Sequence, residues 1–265
     1  MLGSSAPHSL PPASDCHAPT MFHTHVVPDY ETLSRHAADW LTERLRERPA
    51  AVVCLASGST PRRTYELLTE RGTKDPSLFA SCRLLKLDEW GGLAMDDPAT
   101  CEHQLRTTLV TPLDLAAQYT AFNSQPRDPE AECARIAGWL NQNGPIDICV
   151  LGLGVNGHIG FNEPAESLQR HAHLAKLSDA SLGHAMLHQS RQRPTYGITL
   201  GMADILRSRE ILVVVSGPAK REALGRLLSA KITTAFPASL LYLHSQVTLI
   251  CDVAASPDAA ERTSC

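Results

Sequence analysis

The chain has 265 residues, 43% hydrophobic and 20% charged, with a formal net charge of −4. That length suits one large α/β domain with a sizeable core, and a mildly negative chain without a basic stripe argues against nucleic acid as its main partner. No apolar stretch approaches membrane-spanning length, the first twenty residues lack the apolar centre of a signal peptide, and the eight cysteines form no Cys-x-x-Cys pair, so a cytoplasmic, non-membrane protein with reduced thiols is expected.

Residues 1–20, rich in Ser, Pro, Ala and His, are expected to be a disordered extension, with the fold over 21–252 and a tail over 253–265. A short strand is expected between Met21 and Val27. After it, Asp29 precedes a helical pattern with Leu33, Ala37, Trp40, Leu41 and Leu45 on one face. Ala51 to Leu55 is the next strand, running into Ala56-Ser57-Gly58-Ser59-Thr60-Pro61 and a helix from about Arg62 to Glu70. Strand, hydroxyl-rich glycine loop and proline at the first helical turn outline an anion site, with phosphate the natural guest. The competing explanation is that Ser59 or Thr60 only caps the helix.

Arg83 to Leu87 is a third strand, expected to end at Asp88-Glu89-Trp90-Gly91-Gly92; period two lets only one of the two carboxylates face a cleft. Helices follow at Cys101–Leu109 and Glu132–Asn141. The strand Ile146–Leu151 is apolar throughout, as in a sheet buried on both faces. It leads into Gly152-Leu153-Gly154-Val155-Asn156-Gly157-His158-Ile159-Gly160-Phe161-Asn162-Glu163-Pro164. Open α/β sheets bind ligands at the carboxyl ends of their strands, so of the three polar side chains there, Asn156, His158 and Glu163, the histidine and the carboxylate are placed for proton transfer. The segment also matches G-x-G-x-x-G, but no helix can open in the Gly- and Pro-rich run after Gly157 and no carboxylate stands about 20 residues on, so a nicotinamide or flavin site is rejected.

Beyond Pro164 an edge strand is expected, then a polar, His-rich stretch from Ser181 to Arg193 that is either a lid over the site or a loosely packed surface helix. Tyr196–Leu200, Glu210–Val215 and Val247–Cys251 are the remaining strands. After the second of these, Ser216-Gly217-Pro218-Ala219-Lys220 makes a tight turn into a helix. A lysine at a helix N-terminus opposes the dipole, which favours an anion between the two. The alternation specifies a single-domain α/β fold: a doubly wound, mostly parallel sheet with helices on both faces, Rossmann-like in topology.

These motifs carry a family resemblance. G-L-G-V-N-G-H-I-G-F-N-E-P, with A-S-G-S-T-P-x-x-x-Y at 56–65, L-D-E-W at 87–90 and S-G-x-x-K at 216–220, resembles the glucosamine-6-phosphate deaminase/isomerase family. The related 6-phosphogluconolactonases look like G-H-T-A-S-L-F-P at the first element and lack the glutamate. The run I-T-T-A-F-P-A-S-L-L-Y-L-H-S, with G-I-T-L-G-M-A-D-I-L before it, looks most like the galactosamine-6-phosphate isomerase branch. The resemblance implies a reaction without cofactor or metal, turning a 2-amino-2-deoxyhexose 6-phosphate into a ketose 6-phosphate and ammonium. Galactosamine 6-phosphate, which gives tagatose 6-phosphate, is favoured over glucosamine 6-phosphate. It places Asp88 as proton shuttle, His158 and Glu163 in ring opening, Asn156 where many members have aspartate, and Ser57, Gly58, Ser59, Thr60 and Lys220 on the phosphate. A homo-oligomer is compatible with the sequence.

An imidazole near neutrality suits the two proton transfers of hemiacetal opening, and a carboxylate shielded from bulk water can move a proton from C2 to C1 without losing it to exchange. Asp88 is preferred over Glu89 for that step. Two departures from the family pattern stand out. Asn156 is expected to fix the tautomer of the imidazole without supplying negative charge, leaving His158 less basic than in aspartate-bearing relatives. Between Lys176 and His188 the family's phosphate-binding arginine is missing, so that Lys176, Arg191 or Arg193 substitutes or the phosphate is held less tightly. The competing functions are a sugar-phosphate lactone hydrolase, which has no use for Asp88 as a carbon base, and a non-catalytic sugar-phosphate sensor, which does not need Asp88, His158 and Glu163 together.

Overall fold

A computed structural model describes residues 22–257; the extension expected over 1–20 and most of the expected tail lie outside the described residues. In chain order the elements are β1 (His23–Val27), α1 (Tyr30–Glu47), β2 (Val52–Leu55), α2 (Ser59–Lys74), β3 (Arg83–Lys86), β4 (Asp88–Gly91), α3 (Cys101–Leu105) and β5 (Tyr119–Thr120). They continue as α4 (Pro129–Asn143), β6 (Ile148–Gly152), β7 (His173–Ala175), α5 (Asp179–Leu182), β8 (Tyr196–Thr199), α6 (Met202–Leu206), β9 (Glu210–Val215), α7 (Arg221–Leu228) and β10 (Val247–Asp252).

Seven strands form one sheet in the order β1-β10-β9-β6-β2-β3-β5, every pair parallel. Period two sorts each central strand between two cores. Val53, Leu55, Ile148, Val150, Leu212 and Val214 pack with Leu33, Leu41 and Leu68 of α1 and α2 on one face. Cys54, Cys149, Leu151, Val213 and Val215 pack with Ile136 of α4 and Leu224 and Leu227 of α7 on the other. Asp29 starts α1 by accepting the Thr32 N–H at 2.8 Å. Ala255 and Ser256 are also buried, so packing continues past residue 252.

Two strands depart from expectation. Asp88–Gly91 does not merely end β3: after Leu87 the chain turns into β4, which pairs antiparallel with β8, while β7 joins β8 from the other side. This three-stranded sheet encloses its own cluster, including Trp90, Leu93, Cys101, Phe161 and Leu177. Tyr196–Thr199 therefore belongs to it and not to the parallel sheet. The alternation of apolar residues in β8 is the same in either sheet, which is why sequence could not separate them.

Because β3 and β5 lie on one side of β2 while β6, β9 and β10 lie on the other, the strand order reverses between β2 and β6. The loops that leave these two strands diverge there and open a crevice. The small sheet stands beside that crevice.

Candidate active site

A cavity of about 370 Å³ occupies the switch point. Ser57, Gly58, Ser59 and Thr60 line it from the end of β2, Asp88 and Trp90 from β4, Gly154 and His158 from the end of β6, Lys220 from the turn after β9, and Ser181, His184 and Met186 from the segment around α5. The first part of the stretch, from Ser181 to Met186, is therefore a wall of the cavity, and it is not one helix: α5 ends at Leu182 and a 3-10 turn covers Ala185–Gln189.

The anion end is built from backbone. α2 begins at Ser59, three residues earlier than expected, because Gly58 turns the chain at φ +108, a conformation that L side chains rarely adopt. No side chain caps this helix, so the capping explanation for Ser59 and Thr60 fails and the first-turn N–H groups remain open towards the cavity. The Gly58 amide itself is taken: it donates to Gln104 Oε1 at 3.1 Å while Gln104 Nε2 donates to the Gly58 carbonyl at 2.8 Å. Tyr65 O–H holds the Ala56 carbonyl at 2.7 Å and Tyr30 O–H the Ser59 carbonyl at 2.7 Å. Lys220 forms no salt bridge with a described residue, and burial alone lowers its pKa. An ammonium taken partly out of water and left without a carboxylate calls for an external anion.

At the other end, Asp88 and Glu89 point opposite ways, as period two requires. Glu89 is fully buried against Lys86 at 2.6 Å and accepts the N–H groups of Trp90, Cys101 and Glu102 at 2.7–3.0 Å, which fixes the start of α3. Lys86 also reaches Glu102 at 3.0 Å. Asp88 faces the cavity with little to stabilise its charge. Burial first, then the charge of Glu89, push its pKa up to about 7, against smaller opposing effects of Lys86 and a hydrogen bond with the Cys101 thiol.

His158 sits over Gly154, where a Cβ would meet the imidazole ring at 2.4 Å; this close approach, and no pyrophosphate turn, explains the second glycine of the G-x-G-x-x-G match. The next helix after Gly157 is α5. His158 Nδ1 lies 3.5 Å from Glu163 Oε2 and 3.4 Å from Ser181 Oγ. Glu163 also accepts from Asn156 Nδ2 at 2.9 Å, from the Ser178 N–H at 3.3 Å and from the Ser181 hydroxyl. Burial alone would raise Glu163, but the hydrogen bond and charge of His158, with Ser181 and Asn156 behind them, bring its pKa to about 2.

Asn156 therefore does not hold the imidazole. Its Oδ1 accepts the His158 backbone N–H at 3.1 Å and its amide supports Glu163, so the expectation that it fixes the tautomer is corrected: the carboxylate beside the ring is Glu163. Neither Asn156 nor Glu163 lines the cavity; both act from behind His158. Lys176, Arg191 and Arg193 do not line it either, and Arg191 instead reaches Asp96 at 3.4 Å. Sequence reasoning missed Gln104, Lys86, Ser181, Trp90, Cys101 and His184. Lys86 carried a signal as a charge inside a strand with apolar neighbours, and Ser181 and His184 lay in the stretch read as a possible lid without being singled out.

The family model described as glucosamine-6-phosphate isomerases/6-phosphogluconolactonase matches residues 28–250. The Escherichia coli (strain K12) protein named "Putative deaminase AgaI" is 43% identical over 220 residues, covering 83% of this chain and 87% of its own. The glucosamine-6-phosphate deaminase of Geobacillus sp. (strain WCH70) is 36% identical over 227 residues, covering 84% and 90%. Among solved structures, a monomeric glucosamine-6-phosphate deaminase superposes with a TM-score of 0.84 at 35% identity over 89% of this chain and 98% of its own. The 6-phosphogluconolactonase of Trypanosoma brucei, at 18% identity and a TM-score of 0.70 over 92% and 100%, shares the fold.

Proposed function

The chain belongs to the glucosamine-6-phosphate isomerase/6-phosphogluconolactonase family, and from that premise we propose that it deaminates and isomerises a 2-amino-2-deoxyhexose 6-phosphate, with galactosamine 6-phosphate favoured. One observation carries the proposal: Asp88, raised to about 7, and His158, backed by Glu163, face the same cavity whose far end offers Lys220 and the open N–H groups of α2.

Phosphate bound at that end sets the sugar ring between Asp88 and His158. His158 takes the anomeric hydroxyl proton and returns one to the ring oxygen, while the anionic Glu163 stabilises the imidazolium formed on the way. Asp88 removes the C2 proton of the open-chain aldehyde and delivers it to C1 of the resulting amino enol. The product is an imine at C2. Water adds there and the nitrogen leaves as ammonia, so one water is consumed and a ketose 6-phosphate remains. A carboxylate near pKa 7 is half ionised at neutral pH and binds the proton strongly enough to carry it between carbons.

The galactosamine preference is supported by the run around Phe236–Leu243 that resembles that branch. This run packs directly beneath the catalytic loop: the Ala238 N–H donates to the Gly157 carbonyl at 2.9 Å, and the Phe236 ring fills the space a Cβ at Gly157 would need. Side-by-side measurement of ammonium release from galactosamine and glucosamine 6-phosphates tests the proposal. Release from both or from the first alone is expected, and release from neither would overturn it. A lactonase would keep its activity in Asp88→Asn, and this enzyme is expected to lose it.

A further inference from the structure

We infer that His184 is a second phosphate-holding residue, donating its Nε2–H to the same anion that Lys220 and the Ser59–Thr60 turn receive. This deepens the proposed function and rests on it. Three basic side chains line the cavity, His158, His184 and Lys220. The first is engaged with Glu163. His184 has a fixed tautomer, because its Nδ1 accepts the Met186 N–H at 3.3 Å; a nitrogen that accepts carries no proton, so the neutral ring bears its proton on Nε2. No described residue accepts that Nε2–H.

The surroundings favour an incoming anion. Trp90 stands against the ring at 6.1 Å between centroids, and the charged or titratable neighbours acting on it are Lys220, His158 and His188, with no carboxylate among them. Burial, followed by the charge of Lys220, His158 and His188, lowers His184 to about 4, so at pH 7 the imidazole is a neutral donor in the field of a lysine. A phosphate dianion offsets the Lys220 charge and reverses the sign of the field on the imidazole. His184 then gains basicity as phosphate binds, which by linkage makes phosphate binding itself draw on the imidazole proton.

The test is titration of inorganic phosphate into the full chain at pH 7, followed by calorimetry and by the ring-nitrogen resonances of His184. His184→Ala is expected to weaken phosphate by at least about tenfold, the loss of one hydrogen bond to a charged acceptor. His184→Gln, which keeps a neutral donor, is expected to recover most of it, and His184→Arg to bind more tightly. The His184 resonances are expected to titrate at higher pH when phosphate is present. With substrate, His184→Ala should raise KM by more than it lowers kcat. An unchanged phosphate affinity in His184→Ala, with its thermal unfolding intact, would overturn the inference, as would failure of the wild-type chain to bind phosphate. Phosphate binding that needs His184 in a chain that releases no ammonium would sink the proposed reaction and leave this inference standing.

Discussion

Two carboxylates, one lining the cavity and one behind His158, are treated in opposite ways. On β4, Asp88 is buried with almost no donors and a second carboxylate next to it in sequence, and its pKa climbs to about 7. In the loop after β6, Glu163 is also partly buried but accepts from Asn156, Ser178 and Ser181 with His158 alongside, and its pKa falls to about 2. As free side chains the two would be nearly interchangeable acids; burial and the donors around each decide that one can take up a proton at neutral pH and the other stays anionic.

Replacing Asp88, the proposed base, should have the largest effect. Asp88→Asn is expected to lower kcat by about 10²–10⁴-fold, the usual worth of a positioned general base, in an ammonium-release assay. In the wild type, kcat/KM should fall as pH drops below about 7, where Asp88 becomes protonated. The same shift makes a stability prediction. A carboxyl raised in the folded state holds its proton where the unfolded chain has lost it, so it contributes less stability as pH rises from about 4 through 7. Asp88→Asn should therefore unfold at a higher temperature than wild type at pH 8, with the difference shrinking at pH 4. A lower unfolding temperature at pH 8 would break the contrast between the two carboxylates.

Glu163→Gln comes next, with an expected loss of about 10²-fold in kcat and little change in KM, since the imidazolium loses its counter-charge while the phosphate contacts survive. Gln104→Ala should act at the other end. Losing both hydrogen bonds to Gly58 lets the turn relax, and KM should rise about tenfold with kcat held to within a few-fold. The smallest effect is expected for Asn156→Asp, which sets a second carboxylate beside Glu163 and should raise the acid limb of the pH–rate profile by less than about one unit. An unmoved acid limb would show that position 156 does not act on the His158–Glu163 pair.

Much of the fold was legible because its parallel strands are buried on both faces: V-V-C-L, I-C-V-L and I-L-V-V-V leave no other reading, and the glycines and prolines after them mark where the chain turns. Asp88, His158 and Lys220 could be placed at one end of the sheet because ligand sites follow strand ends. The small sheet was invisible, since β4 and β8 are short and their pairing joins residues more than a hundred positions apart. The role of Asn156 was misjudged for a similar reason. Its nearest polar group in sequence is His158, but the loop folds so that its amide meets Glu163.

The sequence by itself determined the buried parallel strands with the helices between them, the glycine and hydroxyl turn at 57–60 and which side chains have the chemistry to move protons, because these depend on local periodicity and residue chemistry. Only the tertiary structure decided that Glu89 turns inward to Lys86 while Asp88 faces the cavity, that Gln104 clamps Gly58, and that His184 lines the pocket when Lys176, Arg191 and Arg193 do not. Burial and hydrogen-bond partners are supplied by segments far apart in the chain. The basicity of a carboxylate or an imidazole is set by those partners, and so it exists only once the chain has folded.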